Sequence, residues 1–578
     1  MGQNRSWWRT RQRKQYVESC TTVLAGRLAT RDGSVLMATS CDGNVMGRVY
    51  AQPARQHLGR VPRCFDAPAP TTWSEYRDQV ERGNTCVGHL SVESTCRCLL
   101  AAGHFGDSIT GGMNEHGLSL GIEYMGMRPE LVNRHGTVSP CSSHWTSSLI
   151  ANGLLRAASA RDAIRLMGTL AEEHGFTYYW APEAGCAIPV VDGREAWIME
   201  IFGPGPDWAP GCGRPGAVWC AQRVPDGEMT CNANRSRIGA VDVARVDEFM
   251  ASPNLHNLAE DLGLWRPGDE FVWREVYGVP GGRGNLLREW AALSAAAPSL
   301  GLQVTGDPGH DRYPFSVAPD EAVDVESLAA LLRNGYEGTP FDVTEQPAFQ
   351  LPDRKSPLAR PFGDRELFDL LGIEPERCIG TEASGYVYVS QMREGLPAPI
   401  AGCMWFTLGP SYTSCLVPIY AGVTEVPPSW SDLPDFTRVD RNQVQWKFQL
   451  VEDLTCLRYQ DAIADVRAVF QPAEARFRAL QQEVETTARR VVERQGEEAA
   501  QRFVTDYCRA CMERIDRAYD QLVDCLMFRY LYSYSEAAPP SLPRIEVPEI
   551  PVMGRGVSGL PCRDDTGDPC DGHTARNT

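Results

Sequence analysis

The stretch VESCTTVLAGRLATRDGSVLMATSCDGN, residues 17–44, decides the fold. TTVLAGRLAT is rich in β-branched and apolar residues, Arg31, Asp32 and Gly33 form a tight-turn signal, and SVLMAT resumes the apolar run. That order predicts a β-hairpin. Cys20 stands at the head of its first strand. A thiol attacks carbonyls as the thiolate, and a free cysteine has a pKa of about 8.5, so something must take the proton. The chain has ten histidines, none of them in a cysteine-protease signature. A cut between Ser19 and Cys20 would supply another base, because the freed α-amine has a reference pKa of about 7.7–8.0 and rides on the nucleophile's own residue. Taken alone, Cys20 also reads as a buried strand cysteine.

Outward from the hairpin, the strand signals continue. SITGGMNEHGLSLGIEYMG has Asn114, Glu115, His116 and Gly117 at the turn between two apolar segments. ASARDAIRLMGTLAEEHG (158–175) is a helix, with Ser159 as N-cap, Ala163, Ile164, Met167 and Leu170 on one face, and Gly175 as its stop. CAIPVVD, EAWIMEIFG and GAVWCAQRV return to strand, as do GYVYVSQM and IAGCMWFTLG downstream. Residues 245–355 are rich in Pro and Gly and read as short helices and long loops. From Leu454 to Tyr532 apolar residues recur at three- and four-residue steps, with Gly496 dividing two helices. The composite is an α+β fold of antiparallel strands with added helices. Strand–helix alternation of the dinucleotide-binding kind is missing, and neither GRGN nor GPGP matches a phosphate loop.

Composition excludes several function classes. Of 578 residues, 43% are hydrophobic and 22% charged, and the net charge is −18. So acidic a chain repels phosphate backbones, which argues against nucleic acid as a partner. No stretch approaches the ~20 apolar residues of a membrane span. The first 19 residues are basic without an apolar core, so they are not a secretory signal, although Gly2 and Ser6 fit a myristoylation pattern. The twenty cysteines are scattered and read as reduced, mostly buried thiols in a cytoplasmic protein. Cys508 and Cys511 form a lone CxxC without a second half at ligand spacing, so no metal is expected.

At Cys20 the residues resemble a known family. CTTVLAGRLATRDGS is similar to the mature N-terminus of the dipeptidase A family of cysteine peptidases, N-terminal nucleophile hydrolases related to penicillin V acylase, bile-salt hydrolase and secernin. GGMNEHGLSLGIEYM resembles the family's Asn-Glu-x-Gly segment, EAWIMEIFGPGPDW its Trp-x-x-Glu strand, and AQRVPDGEMTCNANRSRIG its Arg-Val-Pro-Asp and Ala-Asn-x-x-Arg-Ile segment. YEGTPFD, YVYVSQMREGLP and LVPIYAGVTEVP follow in order, so the likeness covers about residues 20–460.

The resemblance implies an αββα sandwich of two antiparallel sheets between helical layers, with the C-terminal helices as an extension. It implies a precursor that cleaves itself before Cys20 and hydrolyses short peptides with no cofactor. Residues 1–19 would be the propeptide, 20–453 the catalytic domain with inserted loops at about 245–355, 454–535 a helical segment packed on it, and 536–578 a Pro-rich disordered tail. Carried over, Cys20 is the nucleophile, and Asp42 the aspartate near its amine. Asn234 is the oxyanion-hole asparagine, Tyr124 lies near the position whose backbone N–H completes that hole, and Arg393 matches a site arginine loosely. The relatives' Arg three residues before the aspartate is Thr39 here, which leaves the charge balance at the site open. Arg223, Arg235 and Arg237 read either as a fork for a substrate carboxylate or as structural pairs, and Trp197 and Glu200 as core and ion partner. Two other functions stay open: an acylase-type amidase on an N-acyl compound, and a non-catalytic secernin-like protein. The C-terminal helices suit a packing layer or a homo-oligomer contact.

Overall fold

The computed structural model describes residues 20–43, 47–56, 94–103, 108–133, 145–177, 184–209, 211–305, 313–362, 365–374, 376–432, 438–531 and 538–550. The expected propeptide and myristoylation pattern lie outside them. The main strands are β1 (Thr21–Ala25), β2 (Val35–Asp42), β3 (Arg48–Gln52), β4 (Cys98–Gly103), β5 (Ser108–Asn114), β6 (Ser119–Leu120), β7 (Glu123–Gly126), β8 (Ala184–Val191), β9 (Ala196–Phe202), β10 (Val218–Val224), β11 (Met229–Asn232), β12 (Phe249–Ala251), β13 (Ser384–Met392), β14 (Gly402–Leu408) and β15 (Val417–Tyr420).

The predicted hairpin forms as read. β1 pairs antiparallel with β2, Thr21 opposite Ser40 and Ala25 opposite Leu36, and Gly33 takes the positive φ of 75° that its turn needs. Six strands make the first sheet in the order β11-β1-β2-β13-β14-β15. A second sheet runs β12-β10-β9-β8-β6-β5-β4-β3, with β7 also paired to β8. Every pairing in both is antiparallel.

Side-chain alternation sets the layers. In β9, Ala196, Ile198 and Phe202 join the core between the sheets. Trp197, Met199 and Ile201 face the other way, onto α1 (Trp145–Arg156) and α2 (Ala160–His174). Period-two exposure of both faces to apolar neighbours is why every residue of the strand except Glu200 is hydrophobic. α2 matches its sequence signals: Ser159 accepts the Asp162 N–H, and Gly175 ends the helix at φ 86°. Asn114 is a structural turn residue. Its Oδ1 accepts the His116 and Leu118 N–H groups, and its Nδ2 donates to the carbonyls of Leu154 and Ala157.

Two helices matter in the middle region, α3 (Arg283–Ala296) and α4 (Val325–Leu331). At 14 residues α3 is longer than the short helices read there. Its sequence hid it because buried Arg288 and Glu289 interrupt the apolar stripe. The C-terminal layer is α5 (Val444–Cys456), α6 (Tyr459–Gln495) and α7 (Glu497–Leu526), packed against β14 and β15. Gly496 separates α6 from α7 at φ 84°. Residues 538–550, read as part of a disordered tail, lie against the C-terminal helices. There Arg514 and Arg529 donate to the carbonyls of Glu546 and Pro540. The rest of the tail lies outside the described residues.

Candidate active site

Cys20 sits immediately before β1, a central strand of the first sheet, and is buried. The neighbouring Cys41 thiol first, and then burial, pushes the Cys20 thiol well above its usual pKa, and the Asp42 backbone opposes the rise. Asp42 ends β2 beside Ser384 of β13. Its carboxylate, also buried, accepts from Ser384 Oγ at 2.6 Å, Ser40 Oγ at 2.8 Å and Arg377 Nη2 at 2.7 Å. The guanidinium on this aspartate thus comes from the segment before β13. Thr39, where the relatives' arginine would stand, faces the hydroxyl of Thr22 at 2.8 Å.

Asn234 follows β11 in the left-handed region, φ 65°, a conformation asparagine tolerates better than other non-glycine residues. Its N–H donates to Asn232 Oδ1 at 3.0 Å, and its side-chain Nδ2 donates to the carbonyl of Tyr124 in β7 at 2.8 Å. Cys20, Asp42, Asn234 and Tyr124 therefore come together where β1, β2, β7 and β11 meet. Arg393 does not join them. It follows β13 at the end opposite Ser384, beyond Met392, which faces Val35. A nine-residue strand separates the two ends by roughly 26 Å at ~3.3 Å per residue. There Arg393 pairs with Glu485 of α6, one nitrogen at 2.8 Å.

A second arginine at the site, beside Arg377, is Arg288 of α3, which sequence reading missed. Its Nη1 donates to the Cys20 carbonyl at 2.7 Å and to Thr21 Oγ1 at 2.9 Å. Its Nη2 donates to Asn234 Oδ1 at 3.0 Å and to the Ala233 carbonyl at 3.2 Å. One planar cation thus bridges the candidate nucleophile and the candidate oxyanion residue. Burial, then Arg377 nearby, pushes its pKa down to about 10, so it stays charged near neutrality. No local motif marks it, since it sits 268 residues from Cys20 and only folding joins them.

Beneath lies a second missed group, Glu123, fully buried at the start of β7. Burial raises its pKa to about 8, against the opposing pull of the Thr22 hydroxyl, the Asn234 N–H and Arg288. Arg235 and Arg237 both pair with buried Glu289, at 2.6 and 2.7 Å, and Arg223 pairs with Asp226 and Glu195. These are structural pairs. Glu200, read as an ion partner, instead accepts from the Arg237 N–H at 2.6 Å, Trp273 Nε1 at 2.7 Å and the Ser236 hydroxyl. Among the described residues one trio of metal-binding type occurs, Cys96, Glu115 and His116, and Arg97 already pairs with its Glu115. No helix among them is long and apolar enough to cross a membrane.

Two antiparallel sheets between helical layers, with a cysteine leading a central strand, define the class: an α+β sandwich of the N-terminal nucleophile hydrolase kind. Residues 19–471 match Peptidase family C69, and the chain belongs to that family of peptidases. It is similar to dipeptidase A of Lactobacillus helveticus, 23% identical over 446 residues that cover 76% of this chain and 82% of the relative. Probable dipeptidase B of Lactococcus lactis subsp. lactis (strain IL1403) is 24% identical, with 81% and 87% covered. The dipeptidase of Bifidobacterium longum (strain NCC 2705) is 22% identical, with 75% and 77% covered.

Proposed function

We infer that the protein hydrolyses dipeptides or other short peptides, with Cys20 as an N-terminal nucleophile freed by scission of the Ser19–Cys20 bond. The observation that carries this reading is the convergence at Cys20. Arg288 joins its carbonyl to Asn234, the candidate oxyanion residue. The names of the relatives, all dipeptidases, support the substrate class.

The freed α-amine of Cys20 takes the thiol proton, directly or through a water, and the thiolate attacks the scissile carbonyl. Asn234 Nδ2 carries two hydrogens. One points to the Tyr124 carbonyl, and the other serves the oxyanion together with a backbone N–H near Tyr124. The protonated amine passes its proton to the leaving amine, and water then cleaves the thioester. Asp42, held by Arg377, Ser40 and Ser384, offers a counter-charge to the ammonium. No step calls for a metal or organic cofactor.

Intact-mass analysis tests the reading. The expected chain begins at Cys20, and Cys20→Ala blocks both processing and turnover. An uncut, folded wild-type chain, or full activity in the alanine variant, overturns it. A dipeptide panel assayed beside N-acyl amino acids decides between peptidase and acylase chemistry.

A further inference from the structure

We propose that Cys20 and Cys41 form a site of reversible oxidation, in which a hydroperoxide converts the nucleophile and its neighbour to a disulfide that shuts the enzyme and protects it. This rests on Cys20 being the nucleophile. The geometry comes from the hairpin. Thr22 faces Thr39 and Thr21 faces Ser40, and continuing that register by one residue sets Cys20 opposite Cys41. Directly opposed residues of an antiparallel pair have Cα atoms about 4.5 or 5.5 Å apart and project from the same face. Both spacings lie inside the ~4.4–6.8 Å that a disulfide accepts.

Of the groups around it, Cys41 weighs most on the Cys20 thiol. Cys41 is pinned there. A Cβ added to Gly103 would lie 2.9 Å from its sulfur, and Thr110 Oγ1 stands 3.9 Å away on the same side. Thr110 is in turn held by the Tyr386 hydroxyl at 2.6 Å. Among the described cysteines, all free, this pair sets the nucleophile opposite a second thiol by the register of its own hairpin.

The chemistry balances with the hydroperoxide as the two-electron acceptor. The Cys20 thiolate attacks one oxygen, the O–O bond breaks, and the departing oxygen leaves as water or an alcohol after taking a proton. Cys20 is then a sulfenic acid. The Cys41 sulfur attacks it, the S–S bond forms as the S–O bond breaks, and the hydroxide departs with the Cys41 proton as water. Without Cys41 the sulfenic acid meets further peroxide and passes to sulfinic acid, which thiols do not reverse.

The test uses the processed protein and hydrogen peroxide, followed by a thiol reductant. Turnover of the reduced wild type is measured first, so that failure of the peptidase reading is recorded separately. In the wild type we expect peroxide to remove activity, a mass two hydrogens lower, a mapped link between the N-terminal peptide and the Cys41 peptide, and return of activity with reductant. In Cys41→Ser we expect Cys20 two or three oxygens heavier and no recovery. Peptide mapping of the wild type reads the link even if that variant fails to fold or no dipeptide is cleaved. Oxygen addition at Cys20 with no link to Cys41, or recovery of Cys41→Ser equal to that of the wild type, overturns the proposal.

Discussion

Asn234 is asked to do two things at once. Its backbone sits at φ 65°, and its amide spans Tyr124 and Arg288. The two demands separate by substitution. Asn234→Gly keeps the left-handed backbone at little strain and deletes only the amide. We expect kcat to fall about 10²–10³-fold, the usual cost of one oxyanion donor, with the melting temperature close to the wild type. Asn234→Ala should lose the same activity and in addition about 1–2 kcal/mol of stability, because a Cβ resents that backbone region. Equal melting temperatures for the two variants would show that the conformation carries no strain. Asn234 was legible in the sequence because the segment around it is a local motif. Arg288 was not, because its neighbours in sequence say only helix and its role depends on where that helix packs.

At the scale of elements, β7 and α5 each bury one carboxyl group. Glu123 opens β7 and Glu452 lies within α5, beside Tyr412 and Cys456. Burial raises both from 4.5 to about 8. The folded protein therefore keeps these protons up to about pH 8, while the unfolded chain releases them near 4.5. Stability falls as pH rises through that window and levels above it. Each group contributes a decline on the order of 5 kcal/mol, read by denaturant melts across the range. Glu123→Gln and Glu452→Gln should each remove part of that slope, and an unchanged slope in both would contradict the burial argument. The joint between α6 and α7 is a glycine at φ 84°, ψ 172°, a region nearly closed to other residues. Gly496→Ala should cost about 1–3 kcal/mol although its Cβ would touch nothing within 4 Å. A thermal melt decides it.

Over the whole molecule, the helical layer of α5–α7 braces the far side of the first sheet. Arg393 belongs to that bracing through its pair with Glu485, whose side chain is 8% exposed. Arg393→Met should leave kcat/KM for a dipeptide near the wild-type value and lower stability by about 3–5 kcal/mol, since it strands a buried carboxylate. A large fall in kcat/KM at unchanged stability would return Arg393 to the active site.

Local pattern alone determined the hairpin after Cys20, the capped helix α2, the Gly496 break and the antiparallel α+β character, because turn chemistry and hydrophobic period act over a few residues. Ordered motifs also marked Cys20, Asp42 and Asn234. Only the tertiary structure decided which cations serve them. Arg288 reaches Cys20 from α3, and Arg377 reaches Asp42 across 335 positions of chain. Those partners depend on how a helix and a loop settle against the sheet, and a guanidinium at the end of a flexible stem leaves no periodic trace in sequence. The charges buried in α3 even hid the helix that carries one of them. Cys41 was equally mute until strand register set it opposite the candidate nucleophile.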